Sequence, residues 1–141
     1  GGGGLMAGIA TAVKAKRPDV CVVGVQAETA AAYPPSLAAG EPVQLASMST
    51  MADGIAVGLP GVVPYAIVRE LVDGIETVSE ESLSRALLFL LERAKLVVEP
   101  AGAAAVAHLL DSGQGAYPGP VVAVLSGGNV NLDQLKGLKW N

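Results

Sequence analysis

The sequence holds little of what usually announces a function. Its 141 residues include one cysteine, one histidine, one tryptophan and one phenylalanine, with aromatics at 4% and charged side chains at 16%. The single cysteine, Cys21, excludes an internal disulfide and suits a reducing cytoplasm. Flanked by Val20, Val22 and Val23, it is expected to be a small buried core residue. Nine Lys and Arg stand against thirteen Asp and Glu, a net charge of −4, so there is no basic face for a nucleic-acid backbone. The longest apolar runs, such as Ala86–Leu91, fall far short of the ~20 residues of a membrane span. Hydrophobic residues at 51% nevertheless give the composition of a folded domain rather than a disordered one. Glycine is the residue in excess, 18 in all, well above the usual share of about 7%. Four of them, Gly1–Gly4, open the chain, which is expected to be a piece of a longer polypeptide.

Periodicity alternates between helix and strand. Leu5–Lys16 has apolar residues at helical spacing and stops at Arg17-Pro18, placing a helix directly behind the glycines. Val20–Ala27 is an unbroken apolar run that suits a parallel strand covered on both faces. In Thr29–Ala39 the pair Pro34-Pro35 is expected to interrupt a helix. Ser47–Pro64 reads as a long loop, which inside a small domain points to a functional segment. Pro64–Asp73 is helical and Ile75–Val78 is a short strand. Ser79 caps a helix that runs to Lys95, with Glu80 and Glu81 at its positive end and Arg93 and Lys95 at its negative end. Val97–Glu99 is extended and Pro100–Leu110 is an alanine-rich helix. Val121–Leu125 reads as a further buried strand running into Ser126-Gly127-Gly128-Asn129. Such alternation argues for an α/β domain with a mostly parallel sheet flanked by helices.

Two segments can carry chemistry. Gly1–Gly4 before a helix lets the backbone approach an anion and aim several N–H groups at it, with the helix dipole adding to the field. A phosphate is the natural guest; a flexible linker is the plain alternative. Gly3 and Gly8 have the first spacing of a Walker loop, but Ile9-Ala10 follow where Lys and Ser or Thr are required, so no P-loop is present. Gly2, Gly4 and Ala7 match G-x-G-x-x-A, and Glu28 would then reach a ribose hydroxyl, although any run of four glycines nearly satisfies that pattern. Ser126 places a hydroxyl at the carboxyl end of a strand, where open α/β sheets bind ligands. Ser-Gly-Gly-Asn would serve equally as an ordinary turn.

Gly1-Gly2-Gly3-Gly4-Leu5-Met6-Ala7-Gly8-Ile9, Met51-Ala52-Asp53-Gly54-Ile55-Ala56, Glu99-Pro100-Ala101-Gly102-Ala103 and Leu125-Ser126-Gly127-Gly128-Asn129 occur in that order. The ordered set resembles the threonine ammonia-lyase (threonine dehydratase) and serine racemase family, pyridoxal-phosphate enzymes of the tryptophan-synthase-β type, also called fold type II. The resemblance covers residues 1–132, and the tail 133–141 is unmatched. It implies the C-terminal part of the catalytic region, within the large cofactor-binding domain. It further implies that the backbone N–H groups of Gly1, Gly2, Gly3, Gly4 and Leu5 hold the phosphate of pyridoxal 5′-phosphate. Gly54 would lie beside the ring, and Ser126 would bond the pyridine nitrogen. A neutral serine there makes a weaker electron sink than a carboxylate would, which favours β-elimination. The implied reaction converts L-threonine to 2-oxobutanoate and ammonia, with serine dehydration or racemisation as the alternative. A non-enzymatic phosphate- or dinucleotide-binding module is a further one.

Two departures qualify the resemblance. The family's Schiff-base lysine sits in a Ser-x-Lys-x-Arg-Gly segment that is absent here. Lys14, Lys16, Lys95, Lys136 and Lys139 stand in other contexts, so the chain alone is expected to be inactive. Serine racemase-like members also bind a divalent cation through a Glu-x-x-x-Ala-x-Asp pattern; Glu28 and Ala32 match it, but Pro34 replaces the aspartate, so a looser monovalent-cation site or a plain strand-end glutamate is the alternative. The complete protein is expected to be a cytoplasmic homo-oligomer acting on a small amino acid. The missing N-terminal part would pack on this piece, which by itself is expected to expose apolar surface. Plain readings suffice elsewhere. His108 is a packing or surface residue, Glu99 favours a helix N-terminus, and Asp53 braces its loop. Met6, Met48 and Met51 pack, and Trp140 covers an edge.

Overall fold

The computed structural model describes residues 1–113 and 115–130. Trp140, Lys136, Lys139 and the rest of the tail 133–141 lie outside them, as does its boundary with residues 1–132. Helix α1 (Gly4–Lys16) leads to strand β1 (Val23–Ala27), a 3-10 turn at Glu28–Ala30 and helix α2 (Tyr33–Ala39). A long irregular segment follows, broken by one 3-10 turn at Asp53–Ile55. Helix α3 (Val62–Leu71), strand β2 (Gly74–Val78), helix α4 (Glu80–Phe89) and helix α5 (Ala104–Ser112) complete the order. The long loop expected between residues 47 and 64 is present, although α3 starts two residues before Pro64.

β1 and β2 pair in parallel, from Val23 opposite Gly74 to Ala27 opposite Val78, joined by a crossover that includes α2 and α3. The period of two sorts the side chains onto two faces. Val25, Ala27 and Val78 pack against Leu83, Ala86, Leu87 and Leu90 and against Ala104 and Ala107 of α5. On the other face Ile75 packs with Ala7 of α1, Tyr33 of α2, and Tyr65 and Val68 of α3. The small alanine faces let α5 lie close against α4. The result is an α/β arrangement with helices on both sides of a parallel pair, as the alternating pattern requires.

Local chemistry explains the helix ends. The Ser79 hydroxyl accepts from the Ser82 amide at 3.1 Å and caps α4 as expected. Beyond Phe89 that helix widens into a π turn over Leu90–Ala94, and Lys95 closes it in the left-handed region at φ 60°. The alanine-rich segment begins as a 3-10 turn at Pro100–Ala103 before becoming α5.

Three expectations need correction. Pro34 and Pro35 do not interrupt α2; they occupy its first turn, where the missing amide hydrogen would have had no helical acceptor. Cys21 is exposed rather than buried, because β1 begins only at Val23. Val121–Leu125 forms no strand among the described residues, and Val122 is 86% exposed. The segment is tied to Val97–Glu99 near its end by a 3.1 Å bond from the Glu99 amide to the Gly127 carbonyl. An apolar run without a laddered neighbour does not become a strand. Val62 and Val63 are likewise exposed, at 78% and 69%, beside the loop that holds the glycines.

Asp73 joins the two halves of the sheet. Its carboxylate accepts from Lys14 Nζ and from the Val22 amide, each at 2.7 Å, while its own amide donates to the Val22 carbonyl at 2.9 Å. The Lys14 bond first, and the Val22 amide second, hold its carboxyl below the usual carboxylate range. A depressed carboxyl stabilises the fold above the unfolded value, about 4, and loses that contribution as pH falls through the folded value. Asp73→Ala is therefore expected to lower the melting temperature at pH 7, with the gap to wild type narrowing below about pH 4. A gap that stays constant from pH 7 to pH 3 contradicts this role for the charge.

Candidate functional site

Gly3 sits at φ 95°, a left-handed conformation open to glycine, and hands the chain into α1. No side chain caps this helix. The first helical bond in which the loop takes part is Ala7 N–H to the Gly3 carbonyl, at 2.8 Å. Among the described residues the amides of Gly4, Leu5 and Met6 therefore have no backbone acceptor. They point out of the positive end of a thirteen-residue helix, which is a ready anion site.

The loop is braced from below and from the side. The Gly2 carbonyl accepts from the Gly61 amide at 3.0 Å and from the Tyr33 hydroxyl at 3.3 Å. A Cβ on Gly3 would fall on that hydroxyl and lie 2.7 Å from Tyr33 Cζ. Burial pushes the Tyr33 phenol up, which keeps it a hydrogen-bond donor. By contrast, a Cβ on Gly4 would meet nothing within 4 Å, so one side of the loop is open.

A chain of close contacts connects the loop to the other glycine-containing segments. A Cβ on Gly1 would lie 3.2 Å from Ile55 Cα, and one on Gly54 would lie 3.2 Å from Glu99 Oε1 and 3.1 Å from Ala101 Cβ. A Cβ on Gly127 would overlap the Glu99 carboxylate, and one on Gly102 would lie 2.6 Å from the Gly127 carbonyl oxygen. Glu99 Oε2 accepts from the Asn129 amide at 3.1 Å, while the Glu99 carbonyl accepts from the Gly102 amide at 2.9 Å. The Met51 amide donates to Glu80 Oε2 at 2.8 Å, anchoring its loop to the start of α4. Asp53 Oδ1 accepts from the Gly54 amide at 2.8 Å, the bracing role expected of it. The four segments are thus linked in series, Gly1 to Ile55, Gly54 to Glu99 and Glu99 to Gly127, and the loop that carries Gly54 is anchored just past the carboxyl end of β2, where α/β folds bind ligands.

Gly1, Gly2, Gly3, Gly4 and Leu5 lie together at the start of α1, Gly1 is brought against Ile55 next to Gly54, and Ser126 stands beside the Glu99–Gly127 contact. Gly54 and Ser126 are exposed, and among the described residues no hydrogen bond engages the Ser126 hydroxyl. The metal pair fares differently. Glu28 is exposed, and the Ala32 carbonyl is already taken by the Ser36 hydroxyl at 2.6 Å and the Ser36 amide at 3.3 Å. Among the described residues no three His, Cys, Asp or Glu side chains gather as a metal ion would need, so nothing supports a cation at Glu28 and Ala32. His108 is half-buried and pairs with the Tyr117 hydroxyl, a packing role. Sequence reasoning missed the parts played by Glu99 and Tyr33. Each acts on residues distant in the chain, and only the scarcity of aromatics singles out Tyr33.

The profile of the family described as pyridoxal-phosphate dependent enzyme matches residues 1–127. The chain belongs to this family. A curated L-threonine ammonia-lyase of Geobacter sulfurreducens is 47% identical over 132 residues, covering 94% of this chain and 33% of that protein. A crystal structure of the threonine deaminase of T.th. superposes with a TM-score of 0.87 at 47% identity, over 93% of this chain and 44% of the other. Maize serine racemase superposes with a TM-score of 0.85 at 31% identity, over 96% and 42% respectively. The chain thus spans about a third of the length of the first of these relatives. No helix among the described residues is long and apolar enough to cross a membrane.

The site fits the cofactor of pyridoxal-phosphate dependent enzymes on its own geometry. Uncapped amides at the α1 N-terminus suit a phosphate dianion, and the open side of Gly4 leaves room for it. The Ser126 hydroxyl, which has no hydrogen bond among the described residues, lies at the far end of the same chain of contacts.

Proposed function

We propose that this segment holds the phosphate and ring-nitrogen ends of pyridoxal phosphate in an enzyme that converts L-threonine to 2-oxobutanoate and ammonia. The observation that carries the reading is the uncapped glycine loop, joined through Ile55, Gly54, Glu99 and Gly127 to the Ser126 turn. The similarity to proteins named threonine ammonia-lyase and threonine deaminase supports the substrate.

In this reading the amides of Gly1–Leu5 donate to the phosphate, and the α1 dipole adds to their field. When bound, the cofactor supplies an electron-withdrawing ring that lets a substrate α-proton and β-hydroxyl be lost. Ser126 orients the ring nitrogen without a full charge, and Gly54 lies beside the ring, with no side chain to press on Glu99 and Ala101 behind it. Glu99 keeps the Gly54 and Ser126 turns in register. The covalent lysine comes from another part of the complete protein, since no Ser-x-Lys-x-Arg-Gly occurs in these 141 residues. The same reading places the complete protein in the cytoplasm as a homo-oligomer, with its remaining catalytic part covering the exposed Val62 and Val63.

Gly4→Ala tests the phosphate site. Its Cβ meets nothing in the fold and helix propensity improves by up to about 1 kcal/mol. The full-length variant is expected to melt no lower than wild type, yet to bind pyridoxal phosphate at least about tenfold more weakly, a change of ~1.4 kcal/mol. Unchanged affinity removes the glycine loop from the site. Likeness to serine racemase favours serine as the second substrate reading. Product analysis decides between them: 2-oxobutanoate from threonine supports the first, and D-serine or pyruvate from serine supports the second.

A further inference from the structure

Against the glycine loop lies a half-open cavity of about 40 Å³, lined among others by Gly1, Gly3, Met6, Gln26, Tyr33 and Ile75. Gln26, on β1, is 4% exposed and faces it. Its Oε1 accepts from the Tyr33 amide at 3.0 Å. An N–H can donate only to the oxygen, so this bond fixes which end of the amide is which. The nitrogen, Nε2, is buried and has no partner among the described residues. Buried amide donors in native proteins are paired with protein or with ordered water, and the cavity exceeds the roughly 10–15 Å³ that one water needs.

We infer that a water in this cavity accepts from Gln26 Nε2 and donates to the backbone of the glycine loop. Gln26 and Tyr33 then act together as positioning residues for phosphate binding. Gln26 Oε1 fixes Tyr33 at the start of α2, and the Tyr33 hydroxyl in turn holds the Gly2 carbonyl from below. The water supports the same loop from the sheet side. Gln26 touches no phosphate oxygen itself; it keeps the peptide planes turned so that their N–H groups face outward. This inference rests on the proposed phosphate role of the loop.

The test uses the full-length polypeptide and compares pyridoxal phosphate with pyridoxal, which lacks the phosphate. Wild type is expected to prefer the phosphorylated ligand strongly; absence of that preference overturns the phosphate reading and this inference with it. Given that preference, Gln26→Leu is expected to weaken pyridoxal phosphate about tenfold while changing pyridoxal less than about twofold, and to shift the ³¹P resonance of the bound ligand. Gln26→Glu keeps an acceptor for the Tyr33 amide and replaces the Nε2 donor with a carboxyl oxygen, so an unchanged preference for the phosphorylated ligand in this variant overturns the proposal should the leucine variant not fold. Equal weakening of both ligands shows a merely structural residue. Wild-type affinity in the glutamate variant, or a crystal structure with a protein atom bonded to Nε2, overturns the water bridge.

Discussion

Gly3→Ala is expected to reduce the affinity of the full-length polypeptide for pyridoxal phosphate by about a hundredfold, ~2.7 kcal/mol, and to lower its stability as well. Two independent costs combine at this position. An L-residue at φ 95° is strained by roughly 1–2 kcal/mol. The added Cβ also lands on the Tyr33 hydroxyl with Pro64 Cβ at 3.1 Å on its other side, so the loop cannot simply rotate away. Relief requires Tyr33 to release the Gly2 carbonyl, and the amides beyond it then lose their common direction. Titration of the cofactor by absorbance, with thermal melting in parallel, measures both effects. Combining Gly3→Ala with Tyr33→Phe removes the nearest atom of the clash and is expected to restore affinity in part, because Cζ and the backbone strain remain. Full wild-type affinity in the single variant contradicts the bracing of the loop by Tyr33.

The same positions show which parts of this structure a sequence can display. Gly1, Gly3, Gly54 and Gly127 are legible because close approach, and at Gly3 a left-handed backbone, demands glycine, and a demand of that kind leaves a residue-type signature. The Leu83, Leu87, Leu90 and Leu91 stripe predicts α4 for a similar reason, although Leu91 is only partly buried. Ser79 identifies the start of that helix because its hydroxyl has one stereochemical task. Val121–Leu125 misleads, since an apolar run records burial in the complete fold but not which neighbour supplies the ladder. Pro34-Pro35 misleads in the opposite sense, because a proline breaks a helix only where a helical acceptor is waiting for its amide. Glu99 reads as a helix-end charge, and locally it is one. Its contacts with Gly54 and Asn129 lie 45 and 30 positions away in the chain, where no spacing rule reaches. Gln26 is hidden for a different reason: it stands within an apolar strand, and its partner Tyr33, only seven positions on, is brought back to it by the turn that follows β1.

Gly102→Ala and Gly127→Ala separate two ways of disturbing the Ser126 turn. The Cβ at Gly102 would stand 2.6 Å from the Gly127 carbonyl oxygen and 3.1 Å from its amide nitrogen. These are backbone atoms in a tight turn, so the segments must move apart, at a cost of about 1–3 kcal/mol for overpacking. At Gly127 the obstacle is the Glu99 carboxylate, a side-chain end that can swing aside. Its departure leaves the Asn129 amide unbonded and releases the Gly54 turn. Gly102→Ala is therefore expected to show the larger loss of thermal stability, and both variants are expected to alter the absorption of bound pyridoxal phosphate by moving Ser126. A double-mutant cycle with Glu99→Ala distinguishes the mechanisms. With Glu99 shortened, Gly127→Ala is expected to cost less than half of what it does alone, whereas Gly102→Ala keeps its full cost because its clash is with backbone. Additive effects for the Gly127 and Glu99 pair would show that the carboxylate does not hold this turn. The placement of Ser126 would then depend on the Glu99 amide alone, through its 3.1 Å bond to the Gly127 carbonyl.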